Sequence, residues 1–464
     1  MENEAIQKKD KYVKDMTEGE PLFLLFGFAI PLLIGNIFQQ LYNLSDSIIV
    51  GRYVGKLALG AVGASGTISF LIHSLTIGLS VGVGIIVAQY YGAREDKKVK
   101  NSIGNSYYLV LLTALLMGFI GFIFAGPILS ILHTPKDTFP YAVIYLRTIS
   151  IGFVPMSFFN LLSSILRALG DSKTPLFFLI LACIINIFLD LIFVLKFSLG
   201  VIGVGIATAI SQFIAAFLCL IYAKMSNSYF RLHNSDFIIS KEIFAKIIKV
   251  GIPVSCQNSL IAISLIALQR VVNEFGSDFV TSFTVVSRIE LFVQYPLSSL
   301  GAAVATYTGQ NIGAGREDRV KLGFFRAIIC SSGFSLFIFI IFQKFAPIIV
   351  GVFGNDPSVI KYGVVGLKIT CSFYIFLGFI HVTRNLLNGA GDTLFCLING
   401  IVECIGRIFF SKPLTMIPSI SLNGVWLTTG ITWLLTGLFA IFRYMQGKWK
   451  TKSIVNKTNK IMVV

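Results

Sequence analysis

Two polar residues, Asn186 and Asp190, interrupt the apolar stretch CIINIFLDLIFV (183–194). On a helix they lie one turn apart on a common face. No lysine or arginine stands between Lys173 and Lys196 to neutralise the acid. A second acid, Asp46, ends a stripe formed with Asn36, Gln39 and Asn43 in FAIPLLIGNIFQQLYNLSDSIIVG. Steps of three, four and three keep these side chains on one side of a helix. Thr208, in VIGVGIATAI, adds a hydroxyl. Two carboxylates, an amide and a hydroxyl supply oxygen ligands fit for Na⁺, or a carboxylate pair able to share a proton. The alternative is hydrogen-bonded glue between helices. An aspartate in a bilayer span costs roughly 2.5–3.5 kcal/mol even on lenient insertion scales. That makes an unpaired acid poor glue and favours cation binding and release.

The elements that must hold these residues are membrane helices. The chain has 464 residues, 55% hydrophobic and 13% charged, with a mean hydropathy of +0.81. A soluble domain cannot hide that much apolar surface. Charge-free runs at 57–93, 101–135, 197–223, 250–269, 291–315 and 413–442 each reach the about 20 residues that suffice to cross a bilayer. Shorter runs broken by single charges bring the expectation to about twelve helices, an all-α polytopic membrane protein. The charged start, MENEAIQKKDKYVKD, lacks a cleavable signal's apolar core, so the first run should remain as helix 1, about 22–50. The net charge of +16 sorts by position. With about twelve spans, most lysines and arginines fall on the side of the N-terminus, which places both termini in the cytoplasm of a multi-pass cell-membrane protein. The basic excess then reflects topology and lipid contact, and no nucleic-acid partner is expected.

The sequence repeats itself once. AQYYGARED (88–96) returns as GQNIGAGRED (309–318), ILRALGDS (165–172) as LLNGAGDT (386–393), and VIGVGIATAI (201–210) as LNGVWLTTGI (422–431). Gln89, Gly170, Asp171, Gly203 and Thr208 each meet an identical residue 221 positions later, and Ile30-Pro31 meets Ile252-Pro253 at 222. Two six-helix lobes follow, 1–223 with a cytoplasmic tail at 1–20, and 244–464 with a basic tail from 445. The cytoplasmic linker is 224–243. Six is even, so the lobes should be related by a pseudo-twofold axis along the membrane normal, with substrate handled between them.

At 1.5 Å per helical residue, Asp46, Asp190 and Thr208 all fall roughly 6–10 Å below the outer boundary. Arg147 enters its span at similar depth and could be a counter-ion. Pro31 removes a backbone hydrogen bond and offers a hinge. Arg288 and Glu290 do not share a helical face; they could line a cavity, with Gln294, or reach separate partners. Asn36, Gln39 and Asn43 are further candidates for that cavity. Glu403 and Arg407, four apart, should neutralise each other. Gly170 and Gly391 suit left-handed turns, with Asp171 and Asp392 capping the helices that follow. Gly78 and Gly82 indicate close helix approach. His73 and His381 read as hydrogen-bonded interior residues, and the seven cysteines as buried small hydrophobes.

The stretch QQLYNLSDSIIVGRYVG, the AQYYGA and GQNIGA loops, RALGDSKTP and GVIGVGIATA together resemble the multidrug and toxic compound extrusion (MATE) family over nearly the whole chain. The resemblance implies cation-coupled efflux antiport through a cavity between two lobes. It carries a coupling site onto Asp46, Asn186, Asp190 and Thr208, as a Na⁺ or H⁺ site. The acid that other members carry in helix 7 has no counterpart in CQNSLIAISLIALQ. At offset 221 Asn186 maps to Arg407 and Asp190 to Ser411, while Asp46 maps near Leu268, so coupling should live in the first lobe alone. The expected protein is a monomeric antiporter exporting small organic cations, without a cofactor and not an enzyme. No metal-ligand cluster, nucleophile motif or thiol pair supports catalysis. The rival reading is a flippase for a lipid-linked sugar precursor, for which Arg288 and Lys368 supply only a little of the required positive charge.

Overall fold

In a computed structural model, residues 14–132, 134–354 and 356–455 are described, and they are helical with short connections. The basic stretches before Lys14 and after Val455 lie outside the described residues. We number the long helices by span. The first repeat holds α1 (Pro21–Ile49), α2 (Lys56–Gly92), α3 (Asp96–Ile123), the bent α4 (Phe139–Ile151 and Phe153–Ala168), α5 (Lys173–Leu191) and α6 (Gly200–Ser226). The second holds α7 (Lys241–Val272), α8 (Ser277–Gly313), α9 (Glu317–Gly351), the bent α10 (Pro357–Cys371 and Tyr374–Ala390), α11 (Thr393–Met416) and α12 (Asn423–Met445). Nine of these helices are long and apolar enough to cross a membrane, and the two bent pairs bring the number to eleven. The twelfth, α8, matches α2 at 37 residues but is more polar. The bends recur at equivalent places, 49° in α4 and 51° in α10. This architecture, six long helices per repeat, follows from the duplicated pattern.

The chain divides into two compact units, 1–16 with 30–255, and 17–29 with 256–464. Beyond the division before α1, one falls inside α1, one residue before Pro31, and one inside α7, two residues after Pro253. Helix α1 runs unbroken through Pro31.

Close packing in the first unit depends on missing side chains. A Cβ on Gly82 would lie 2.8 Å from the backbone of Gly251, and one on Gly78 would lie 2.5 Å from the Ser255 nitrogen. Gly170 combines φ of 90° with a Lys14 carbonyl oxygen 2.1 Å from any added Cβ, so only glycine fits that turn. Asp171 then caps α5, its Oδ1 accepting from the Lys173 and Thr174 amides at 3.0 and 2.9 Å. Burial holds this carboxyl above the ordinary aspartate range despite those two bonds. Asp392 occupies the matching place but does not cap. It accepts instead from Arg443 Nε at 2.7 Å, because a guanidinium outcompetes backbone amides for a carboxylate.

Each unit has its own apolar core. In the first, Ile49, Val50, Tyr145, Leu146, Phe153, Val194 and Val204 pack together. In the second, Phe279, Tyr374, Trp426 and Trp433 dominate. The cysteines are all free, and five are buried; Cys330 is half-buried and Cys256 is exposed on α7, which the apolar surroundings in sequence did not distinguish.

Candidate cation site and adjoining cavity

Three helices bring the sequence-picked residues together. Asp46 comes from the end of α1, Asn186 and Asp190 from α5, and Thr208 from α6. Asp46 is 6% exposed, Asn186 and Asp190 0%, and Thr208 3%. The Asp46 and Asp190 carboxyls are close enough to interact directly. Both Asp190 oxygens, both polar atoms of the Asn186 amide, Oδ1 of Asp46 and the Thr208 hydroxyl have no hydrogen-bond partner. Buried polar atoms are nearly always partnered. Such a concentration is what a site for an exchangeable ion requires. No group of three or more His, Cys, Asp or Glu suited to a metal occurs among the described residues; the acids here number two, and the remaining oxygens come from Asn186 and Thr208.

Two further side chains belong to this site and were not singled out from sequence. Tyr42, one turn before Asp46, is buried with its hydroxyl 3.4 Å from Ser211 Oγ and close to Thr208 and both acids. Tyr145 of α4 lies near both acids and Tyr42. Tyrosines in apolar runs look like core. Only the i,i+4 spacing of Tyr42 and Asp46 held a clue. Both acid-bearing helices end in a π-helical turn, Val50–Val54 after α1 and Ile192–Lys196 after α5. Such turns recur at functional sites.

A cavity of about 230 Å³ opens beside this cluster, inside the first unit. Pro31, Leu32, Gly35, Asn36 and Gln39 of α1 form one wall, and Leu176, Leu179 and Gln212 of α5 and α6 another. Asn160 and Arg167 of α4 complete the polar lining with Ser163. Gln39 and Asp46 are seven residues apart, roughly 10 Å along the helix. Gln212 is one turn from Thr208. The same three helices therefore carry both cavity and acids.

Other expectations fare differently. Asn43 is exposed, because it stands about 60° round the helix from Asp46, at the edge of the buried face. Arg147 is not a counter-ion: it is exposed, its Nε donates to the Phe122 carbonyl at 3.2 Å, and its guanidinium lies over the Phe122 ring. It stands two residues, about 200° round the helix, from Tyr145, which lies near the acids. Arg288 is exposed and Gln294 half-buried, and neither lines the cavity described above. Glu290 is buried near Thr370 and Arg407, so it and Arg288 have separate surroundings. His73 faces Asn160 at 3.3 Å through Nε2, while His381 lies near Arg384 and Glu403.

Glu403 and Arg407 do pair, at 2.9 Å, but Arg384 joins them at 2.7 Å from α10. Arg384 also donates to Asn399 at 2.9 Å, and Arg407 to Ser264 at 2.8 Å.

The MatE family profile matches residues 31–192 and 253–411, one copy in each repeat. The "Probable multidrug resistance protein YpnP" of Bacillus subtilis (strain 168) is 32% identical over 445 residues, covering 95% of this chain and 98% of that protein. YoeA of the same organism, also described as a probable multidrug resistance protein, is 28% identical, covering 92% and 94%. The crystal structure of "MATE in the bent conformation" superposes with a TM-score of 0.87 at 25% identity, over 95% of this chain and 98% of that one. A profile present in both halves, full-length relatives and a shared twelve-helix fold agree: this polytopic membrane protein belongs to the MATE (MatE) family of transporters.

Proposed function

We propose that the protein is a secondary active antiporter that exports amphipathic small molecules in exchange for inward H⁺ or Na⁺. The observation that carries this reading is the buried, unpartnered set of Asp46, Asn186, Asp190 and Thr208 on the helices that also wall the cavity. An ion entering that set supplies the charge and bonds the protein withholds. Its arrival changes the packing of α1, α5 and α6, and so the cavity they enclose. Pro31 lies at the cavity end of α1, where a missing backbone hydrogen bond lowers the cost of bending. The names of the relatives agree with drug export. Both termini face the cytoplasm in this reading, and the acids load from outside.

The test is efflux of amphipathic dyes, cationic and zwitterionic, from a host lacking its own pumps. Export should stop when ionophores collapse the ion gradients. It should also fail in Asp190→Asn at wild-type expression. Equal export by that variant would remove the site from the mechanism.

A further inference from the structure

One cavity residue is not explained by its neighbours. Arg167 is the single charged residue in the cavity lining, and its hydrogen bond goes to Ser164 Oγ, three residues back, at 3.2 Å. No carboxylate pairs with it among the described residues. The nearest acid in sequence, Asp171, is taken up by the first amides of α5. Arg167 sits in the last turn of α4, where the helix dipole favours a cation. That accounts for its sign but not for leaving four of its five N–H donors unused beside a cavity. Among the described residues, the buried Arg384 and Arg407 pair with Glu403, and the half-buried Arg443 pairs with Asp392. Arg167 is half-buried, and an oxyanion in the cavity would pair its guanidinium through charge-assisted bonds.

We propose that Arg167 forms an anion subsite in this cavity, which takes a compact amphipathic molecule bearing a carboxylate. The carboxylate lies on Arg167 and Ser163. The apolar body packs on Leu32, Met156, Phe159, Leu176 and Leu179, and Asn36, Gln39, Asn160 and Gln212 offer amides to polar substituents. The assignment covers acids and zwitterions and disfavours a purely cationic molecule. A volume of about 230 Å³ excludes a diacyl lipid within the cavity, since drug-sized ligands already occupy roughly 300–1,000 Å³. Identifying the ligand as transported cargo rests on the antiport reading above; the binding itself does not.

The test is equilibrium binding of three matched probes to the purified protein in phosphatidylcholine nanodiscs: 1-naphthoate, the neutral 1-naphthamide and the cationic 1-naphthylmethylammonium. Naphthoate should bind about tenfold or more tighter than either, the scale of one charge-assisted pair. Arg167→Gln should erase the difference by weakening naphthoate alone, and Arg167→Lys should keep part of it. Leu179→Trp, which fills the cavity without touching Arg167, should abolish binding of acid and amide together. This variant keeps the test decisive if Arg167→Gln does not fold. Equal binding of the three probes, no naphthoate binding, or naphthoate binding that survives Leu179→Trp would each overturn the proposal. Displacement by equimolar inorganic phosphate would assign the site to phosphate instead. Loss of naphthoate binding in phosphatidylglycerol nanodiscs would assign it to a lipid headgroup. Gradient-driven dye export that depends on Asp190 while naphthoate and naphthamide bind alike would leave the antiport reading standing and sink this one.

Discussion

Helices α5 and α11 descend from one ancestral segment, yet their polar residues live by opposite rules. Asn186 and Asp190 of α5 leave all four of their side-chain polar atoms without hydrogen bonds. At the positions 221 residues on, Arg407 bonds Glu403 and Ser264, and Ser411 donates to the Ile408 carbonyl at 3.1 Å. Glu403 is shared with Arg384, and Asn399 passes the network to the Thr436 carbonyl at 2.9 Å. Both clusters are buried, so desolvation does not separate them. Partnering does. A paired cluster is finished and holds helices together; the unpaired one is where the antiport proposal places the ion. The second unit also holds buried polar atoms without partners, among them Arg407 Nε, Glu290 Oε1 and the Thr370, Thr432 and Thr436 hydroxyls, but Arg407 and Glu290 belong to a group of mixed charge and the hydroxyls carry none.

The comparison breaks first at the acids. Asn186→Ala with Asp190→Ala should reduce ion-driven export to the level of empty liposomes while the protein still inserts. Retained export would show that the unpaired cluster is idle.

In the second unit the large effect should fall on stability. Glu403→Gln strands two buried arginines, whereas Arg407→Gln leaves Glu403 with Arg384. The first change should destabilise by about 3–5 kcal/mol and the second by less, the range for breaking buried pairs. Thermal unfolding in detergent measures the order, and a reversed order would mean that Arg384 is not the stronger partner. Removing the pair with Glu403→Gln plus Arg407→Gln recovers only part, because Arg384 then has no carboxylate partner.

A smaller effect is expected at Pro31. Pro31→Ala restores a hydrogen bond to α1 and should slow turnover several-fold with little change in dye affinity, if bending is part of the cycle. Unchanged turnover would make the proline a packing feature. Smallest of all is Ser411→Ala, which removes a bond to its own helix and should leave export within error. A loss there would show that the second cluster also serves transport.

Much of this was readable from the sequence, for definite reasons. The offset of 221 survives because turns such as that at Gly170 tolerate no side chain. Asp46, Asn186, Asp190 and Thr208 could be placed together because acids in apolar runs are rare and helical rise converts position to depth. What failed needed geometry between helices. Arg384 reaches Glu403 across two helices, and nineteen residues of separation hide the pair. Arg147 has the right depth but the wrong side of a bent span. Tyr42 and Tyr145 look like core until the acids appear beside them. The cavity gathers one wall from each of four helices, so Asn160, Arg167 and Gln212 carry no common spacing.

The most direct test is export of whichever dye the cells extrude, ethidium or rhodamine B, from proteoliposomes with and without an imposed proton or sodium gradient. Wild-type protein and Asp190→Asn are compared at matched incorporation, with dye binding measured on the same preparations. The account predicts that Asp190→Asn binds dye but moves it at one rate whatever the gradient. A gradient-driven acceleration equal to that of wild type would contradict it.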